Sequence, residues 1–314
     1  MEWLIVALPF TQTGLRLSYS PMKSGFCTLW GRPNTGKSTL LNALLGRKHV
    51  ITSPRPQTTR HRIAGVLHGP DEAFQIVFLD TPGIHEPGNK LGETLVKNAR
   101  SALADVECVV VDATEVPHPD DRLAIEGLKR VKAPVVLALN KGDAAKDMQG
   151  VRGAFKKLRA FDAVVEISAL TGAGLDDLKR EIVARFPEGE PYFPPEMNGD
   201  RSPEFHVEEL IREQALLQLR AEIPHAVAVA VEQMAPRPND RFFVEAVIYV
   251  ERESQKKIVV GEGGARVKEI GLKAREEIEN WLGKKVYLEV RVKVRDKWRD
   301  DDLWLARFGI AERG

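Results

Sequence analysis

Gly31-Arg32-Pro33-Asn34-Thr35-Gly36-Lys37-Ser38 stands between the apolar run Phe26-Cys27-Thr28-Leu29-Trp30 and the helical pattern Thr39-Leu40-Leu41-Asn42-Ala43-Leu44-Leu45. The glycines let successive backbone N–H groups turn inward, making an anion cradle at the start of a helix. There Lys37 adds a point charge and the Ser38 hydroxyl can reach a Mg²⁺ ion. A glycine turn before an ordinary helix would need none of the lysine, the hydroxyl or their spacing. Strand, loop and helix in this order imply an α/β sheet with a nucleoside triphosphate held at a strand end.

The rest of the first half agrees. From residue 26 to about 186 short apolar runs alternate with amphipathic stretches: Phe74 to Leu79, Cys108 to Val111, Pro134 to Leu139 and Ala163 to Ile167. Near-continuous apolar strands separated by helices predict a mostly parallel sheet covered on both faces. Pro187, Pro191, Pro194, Pro195 and Pro203, with Gly189 and Gly199, then interrupt all periodicity and mark a linker. The chain has 314 residues, so two domains are expected. The expected division is an N-terminal extension over 1–22, a nucleotide domain over 23–186, the linker over 187–203 and a second domain over 204–314 that ends in a helix. The extension is read as disordered or as an upstream reading of the start site, with Met22 as a second methionine. Its apolar stretch is far shorter than a membrane span, and Glu2 stands where a secretion signal carries a cation, so export is not expected. Cys27 and Cys108 both lie in apolar runs and read as core residues of a reduced, cytoplasmic protein.

Two further motifs define the nucleotide. Asp80-Thr81-Pro82-Gly83 closes the run Phe74 to Leu79, which puts a carboxylate beside Ser38 for Mg²⁺ and lets the Gly83 backbone approach a terminal phosphate. Asn140-Lys141-Gly142-Asp143 closes the run Pro134 to Leu139. Its carboxylate can accept from the ring N–H and exocyclic amine of guanine together, which adenine cannot offer. A site built on such a pair rejects the wrong base by a factor on the order of 10⁴ to 10⁵. Ser168-Ala169-Leu170 follows the next strand and can offer a backbone N–H to the guanine carbonyl. Gln57-Thr58-Thr59-Arg60 sits where a switch loop belongs, and Thr59 is expected to complete the Mg²⁺ shell with Ser38 and Asp80. Together these motifs imply a GTPase of the translation-factor-like class, with Lys37, Thr59, Asp80 and Gly83 carrying hydrolysis. The residue after Gly83 is Ile84, which cannot hydrogen-bond water, so another group must position the nucleophile. Arg32, Arg55 and Arg60 are arginine-finger candidates by proximity.

Lys plus Arg total 46 against 45 Asp plus Glu, so no global field draws the chain to nucleic acid or membrane, and a local patch must do so. One exists in the second half. Between Lys256 and Arg299 there are 13 Lys or Arg and 7 Asp or Glu. This stretch contains Gly261-Glu262-Gly263-Gly264, a Gly-x-x-Gly turn between two helical patterns, as in a KH domain, where the turn grips the backbone of single-stranded nucleotides. Arg266, Lys268, Lys293 and Lys297 are the expected phosphate contacts, and Trp298 is expected either to stack on a base or to pack the last helix. The final strand, Val286 to Val294, alternates apolar and mainly cationic residues.

The chain from about Lys23 onward resembles the Era-type family of bacterial ribosome-assembly GTPases. The likeness is carried by Gly31 to Asn42, Ile51-Thr52-Ser53, Gln57-Thr58-Thr59-Arg60-His61-Arg62, Asp80-Thr81-Pro82-Gly83-Ile84-His85, Asn140 to Asp143 and the Gly-x-x-Gly turn. It implies a P-loop GTPase domain joined to a smaller α+β type II KH domain, binding of the 3′ end of 16S rRNA, and action in 30S subunit maturation. It also implies that Ile84 is normal for the family and that Asn34 matches a residue used by related GTPases to hold K⁺. Two positions depart from the family pattern: Thr35 stands for valine, and Glu262 replaces a basic residue of the turn, which weakens the RNA grip there. A monomer with no obligate protein partner is expected. Two other readings stay open: a tRNA-modifying GTPase, which would need a further catalytic domain, and a cell-cycle regulator whose basic C-terminal face binds anionic lipid at the inner membrane surface.

Overall fold

A computed structural model describes residues 22–311 except 71–72, 105 and 146. The expected extension therefore lies outside the described residues but for Met22, which opens the first strand and is buried. The first half holds β1 (Met22–Trp30), α1 (Lys37–Leu45), β2 (Ile63–His68), β3 (Phe74–Asp80), α2 (Lys90–Ser101), β4 (Cys108–Ala113), α3 (Pro119–Gly127), β5 (Val135–Leu139), α4 (Met148–Lys156), β6 (Ala163–Glu166) and α5 (Leu175–Val183). Strand order is β2-β3-β1-β4-β5-β6, parallel throughout except for β2. This is the mostly parallel α/β sheet that the apolar runs predict, extended by the antiparallel edge strand β2.

Both faces are covered. Leu40, Leu41 and Leu44 of α1 pack with Ile76, Phe78 and Val110, and Leu178 and Ile182 of α5 join them. On the other face Trp30, Val109, Val111 and Leu137 meet Ile125 of α3 and Phe155 of α4. The Trp30 indole N–H finds the Ala124 carbonyl at 2.8 Å, so burying this large ring leaves no polar atom unmet. Local chemistry sets the helix ends: Asn89 caps α2 through the Gly92 N–H, and His118 and Asp121 form a reciprocal capping pair at α3, with Pro119 in its first turn.

The linker is laid on the sheet. β7 (Glu188–Gly189) pairs antiparallel with Met22 and Lys23, the Ser24 hydroxyl donates to the Glu190 carbonyl, and Gln75 bonds Tyr192 and Phe193 through its side chain. The second half follows with α6 (Pro203–Gln218), α7 (Ile223–Ala226), β8 (Ala228–Arg237), β9 (Arg241–Val250), α8 (Glu253–Val260), α9 (Ala265–Leu282), β10 (Lys285–Val294) and α10 (Asp302–Arg307). β10 lies at the edge, parallel to β9, and β8 is antiparallel to β9. Apart from the short α7, this is the helix–strand–strand–helix–helix–strand order of a type II KH domain. Val244, Ala246 and Ile248 of β9 pack on Ile211 of α6 and Ile270, Ala274 and Ile278 of α9. At one end of the opposite sheet face, Val247 and Tyr249 meet Trp298, Leu305 and Phe308, together with Leu91 and Leu95 from α2 of the first half. No helix among the described residues is long and apolar enough to cross a membrane.

Candidate nucleotide and RNA sites

The strands β1, β3, β5 and β6 are parallel, so the loops that follow them gather at one edge of the sheet. A cleft of about 580 Å³ opens there, walled by Asn34, Gly36, Lys37, Ser38, Thr39, Thr59, Thr81, Gly83 and Lys141 from the first half, and by Glu213, Gln214 and Leu217 of α6. Its floor is the glycine-rich loop. The buried Lys37 ammonium donates to the carbonyls of Gly31 and Arg32 at 3.2 and 2.7 Å, folding the loop around itself. Burial lowers its pKa, and the charges of Asp80 and Asp112 oppose the shift.

Ser38 Oγ donates to Asp80 Oδ2 at 2.8 Å and lies 2.8 Å from Thr59 Oγ1, which itself donates to Asp80 at 3.2 Å. The other Asp80 oxygen is buried without a partner, and burial raises the carboxyl pKa against the pull of Lys37. Two hydroxyls and an unsatisfied carboxylate oxygen at one point suit a hard divalent cation that keeps water and phosphate oxygens in its remaining positions. Thr35 and Thr81 serve the scaffold, their hydroxyls donating to the carbonyls of Arg32 and Leu29. Pro82 is buried, and Gly83 lies against the phosphate loop.

At the other end of the site, the Asn140 side-chain carbonyl accepts the N–H of Lys141 at 2.7 Å and of Ala169 at 3.0 Å. Ser168 Oγ donates to Asp143 Oδ1 at 2.5 Å. The two segments expected to read the base are thus tied together, with Asp143 at the surface and the Leu170 side chain in solvent. Asn34 stands at the exposed tip of the loop with a left-handed backbone, and its amide donates to the Pro54 carbonyl at 3.3 Å.

In the second half, α8 and α9 meet at the glycine turn. Gly261, Gly263 and Gly264 have φ of 74°, 56° and 81°, a region in which side chains are strained. A groove of about 320 Å³ runs between α9 and the edge strand β10, floored by Val267, Leu272, Leu288 and Val290 and flanked by Lys268 and Arg275. An apolar slot beside a glycine turn with cations at its lip can receive bases and hold their phosphates. Glu262 is exposed on the turn, and Arg266 donates to the Ile258 carbonyl behind it.

Several expectations are corrected. Trp298 is fully buried, its indole N–H bonded to the Ala226 carbonyl and its ring packed edge-on against Phe308, so it closes the core and stacks on no base. Lys293 alternates with Val290 and Val292 and so lies on the sheet face away from the groove; Lys297, beyond the end of β10, is exposed, which leaves its expected phosphate contact open. None of the three arginines is aimed into the cleft as a finger. Arg32 pairs with Asp121 at 3.0 Å and with Glu115, Arg55 donates to the Leu219 carbonyl, and Arg60 is buried in the second half.

Sequence reasoning missed other residues. Asp112, at the end of β4, is buried behind the phosphate loop with neither oxygen hydrogen-bonded, although the Asn140 amide and Thr35 hydroxyl stand near it. An acid closing an apolar strand was the available signal. Arg212 of α6 donates to the Thr58 carbonyl at 2.5 Å while Glu209 holds it at 2.6 and 2.7 Å. Arg60 donates to the Val227 carbonyl at 2.6 Å and lies 5.5 Å from the Trp298 ring centre. Both neighbours of Thr59 are therefore anchored in the second half, which no local pattern could reveal.

A family profile described as a 50S ribosome-binding GTPase matches residues 26–141, and one described as a KH domain matches residues 222–299. The chain is 46% identical over 292 residues to GTPase Era of Alkaliphilus metalliredigens, covering 91% of this chain and 98% of that one. It is 45% identical over 295 residues to GTPase Era of Carboxydothermus hydrogenoformans, covering 92% and 98%. Two solved structures are similar over 92% of the chain at 39% identity. One is a variant of Aquifex aeolicus Era bound to GDP and AlF₄⁻, with a TM-score of 0.87 and 100% of that chain covered. The other is Era in complex with MgGDPNP and nucleotides 1506–1542 of 16S ribosomal RNA, with a TM-score of 0.88 and 99% covered.

Proposed function

We propose, from the premise that this chain belongs to the Era family of GTPases, that its hydrolysis of GTP times the binding and release of the 3′ end of 16S rRNA during maturation of the 30S ribosomal subunit in the cytoplasm. A nucleotide unit over 23–186 is joined by 187–203 to an RNA-binding unit over 204–314. In the first, Gly31 to Thr39 cradle the phosphates, and Ser38, Thr59 and Asp80 are the residues that would hold Mg²⁺, which neutralises charge on the phosphates when bound. Asn140 and Asp143 read guanine, and Gly83 senses the terminal phosphate. In the second, the turn at Gly261 to Gly264 and the groove beside it take single-stranded RNA.

The observation that carries the reading is the clamp on the switch segment. Thr59 can follow the nucleotide only if Thr58 and Arg60 move with it, and both are bonded to the RNA-binding unit. A nucleotide that pulls Thr59 inward thus acts on the second unit, and RNA in its groove acts back on the first with equal free energy. The Era complex that holds both MgGDPNP and 16S rRNA supports simultaneous occupancy. The test is crosslinking and sequencing of RNA bound to the purified chain with a non-hydrolysable GTP analogue. Enrichment of the 16S 3′ end, lost in Gly263→Asp, is expected; no rRNA enrichment overturns the reading. K⁺ beside Asn34 is part of the proposal, since the amide nitrogen is turned to the Pro54 carbonyl and the exposed Oδ1 has no hydrogen-bond partner among the described residues. Equal turnover in Na⁺ and K⁺ buffers would remove it.

A further inference from the structure

Ile84 leaves hydrolysis without the side chain that usually orients water, and its position shows why it cannot act indirectly. Its side chain is 1% exposed among Trp30 and Ala99, while its backbone N–H donates to the Gly31 carbonyl at 3.0 Å. The wall of the cleft beside Gly83 and Thr59 is supplied instead by Gln57. Gln57 has φ of 59°, a left-handed backbone that costs a non-glycine residue on the order of 1 kcal/mol.

Two contacts orient its amide. The Gly83 carbonyl lies 2.9 Å from His85 Nδ1, and a carbonyl can only accept, so Nδ1 carries the imidazole proton. Nε2 is then the acceptor, and the group 3.2 Å from it is the Gln57 amide nitrogen. With its nitrogen held by His85, the amide leaves Oε1 as the open end, and among the described residues that oxygen has no hydrogen-bond partner.

We propose that Gln57 Oε1 holds the water that attacks the terminal phosphate of GTP, with His85 as the residue that positions Gln57; this rests on the reading of the cleft as the GTP site. The amide accepts one O–H of the water and so turns an oxygen lone pair toward phosphorus. As the new P–O bond forms, the bond to the β-phosphate oxygen breaks and GDP leaves with its electron pair. The water proton passes to an oxygen of the departing inorganic phosphate, and Gln57 stays neutral throughout. An acceptor reaching in from the switch loop supplies what Ile84 cannot. It is in place only while His85 and Gly83 hold the second switch segment against the first.

The test uses the full chain. Gln57→Ala should lower kcat on the order of 10²-fold, the scale of lost orientation of a reactant. KM and the affinities for GDP and for a non-hydrolysable GTP analogue should stay within about twofold. Affinity for GDP with aluminium fluoride, which mimics the reacting phosphate, should fall alongside kcat. His85→Ala should lose about tenfold in kcat, and His85→Gln, which again offers an acceptor to the Gln57 amide, should recover most of it. Parent-like turnover by Gln57→Ala overturns the proposal, as does a fall in kcat matched by an equal loss of analogue affinity. If the unsubstituted chain hydrolyses no GTP, the reading of the cleft fails as well, which separates the two failures.

Discussion

A Cβ added at Gly83 would lie 2.4 Å from the nitrogen of Pro33 and 2.6 Å from its Cα, closer than real side chains approach backbone. Gly83→Ala must push the two loops apart at the place where a terminal phosphate enters. GTP-analogue affinity measured by calorimetry should fall at least tenfold, about 1.4 kcal/mol, with a smaller loss for GDP; an unchanged GTP affinity would mean that the loops give way freely. Residues of this kind were legible from the sequence because their chemistry is written in short spacing: Gly31 to Ser38, Asp80 to Gly83 and Asn140 to Asp143. Asp112 was not, since one acid after a valine run carries no spacing. Trp298 was ambiguous for a similar reason, because Lys297 and Arg299 would flank a surface ring and a buried one alike.

At the scale of elements, the apolar runs of the parallel strands announced themselves, since all but the edge strand β6 are largely buried on both faces. β2 did not, because an edge strand of six residues containing Gly65 has little periodicity to show. The helical pattern near Glu208 to Arg220 makes α6 visible from the sequence, yet its role depends on what it meets after folding: Arg212 and Glu209 form a buried pair whose purpose lies in the Thr58 carbonyl. Removing one partner of such a pair strands the other charge, so Arg212→Met is best made together with Glu209→Gln. The double variant should fold, and the ratio of RNA affinities in the GTP-analogue and GDP states, about 5- to 150-fold for typical coupling, should shrink toward one. An undiminished ratio in a fluorescence anisotropy titration would show that the clamp carries no coupling.

For the molecule as a whole, the junction between the two units is rich in histidine. His61 bonds the Gly309 carbonyl and packs edge-on against Phe205, and burial lowers its pKa to about 4. His206, beside Trp281, is likewise pushed down to about 4 by burial and by His49. A folded value below the ordinary value near 6.5 means that the unfolded chain binds more protons between pH 4 and 6.5. Stability is therefore full above that window and lost as pH falls through it. His61 alone should withdraw about 2 kcal/mol by pH 5. Glu208, raised to about 7 mainly by burial, acts in the opposite sense and weakens the fold as pH rises from about 4.5 to 7. Thermal unfolding should show Tm falling from pH 7 to pH 5, less steeply in His61→Gln; parallel slopes would refute the role of His61.

The short pairing of Glu188 and Gly189 with Met22 and Lys23 makes the nucleotide unit a closed parcel, entered and left at one point. That point is the amino end of β1, whereas the phosphate loop begins where the same strand ends, at Trp30. Beyond this staple the linker is tied down again, Asn198 to Val66, Asp200 to Ala64 and Arg201 to the Arg62 carbonyl, so a pull from the second half meets the switch segment before it meets the staple. Linker and clamp thus pull on the same short stretch from Thr58 to Arg62, while the staple holds the far end of β1 still.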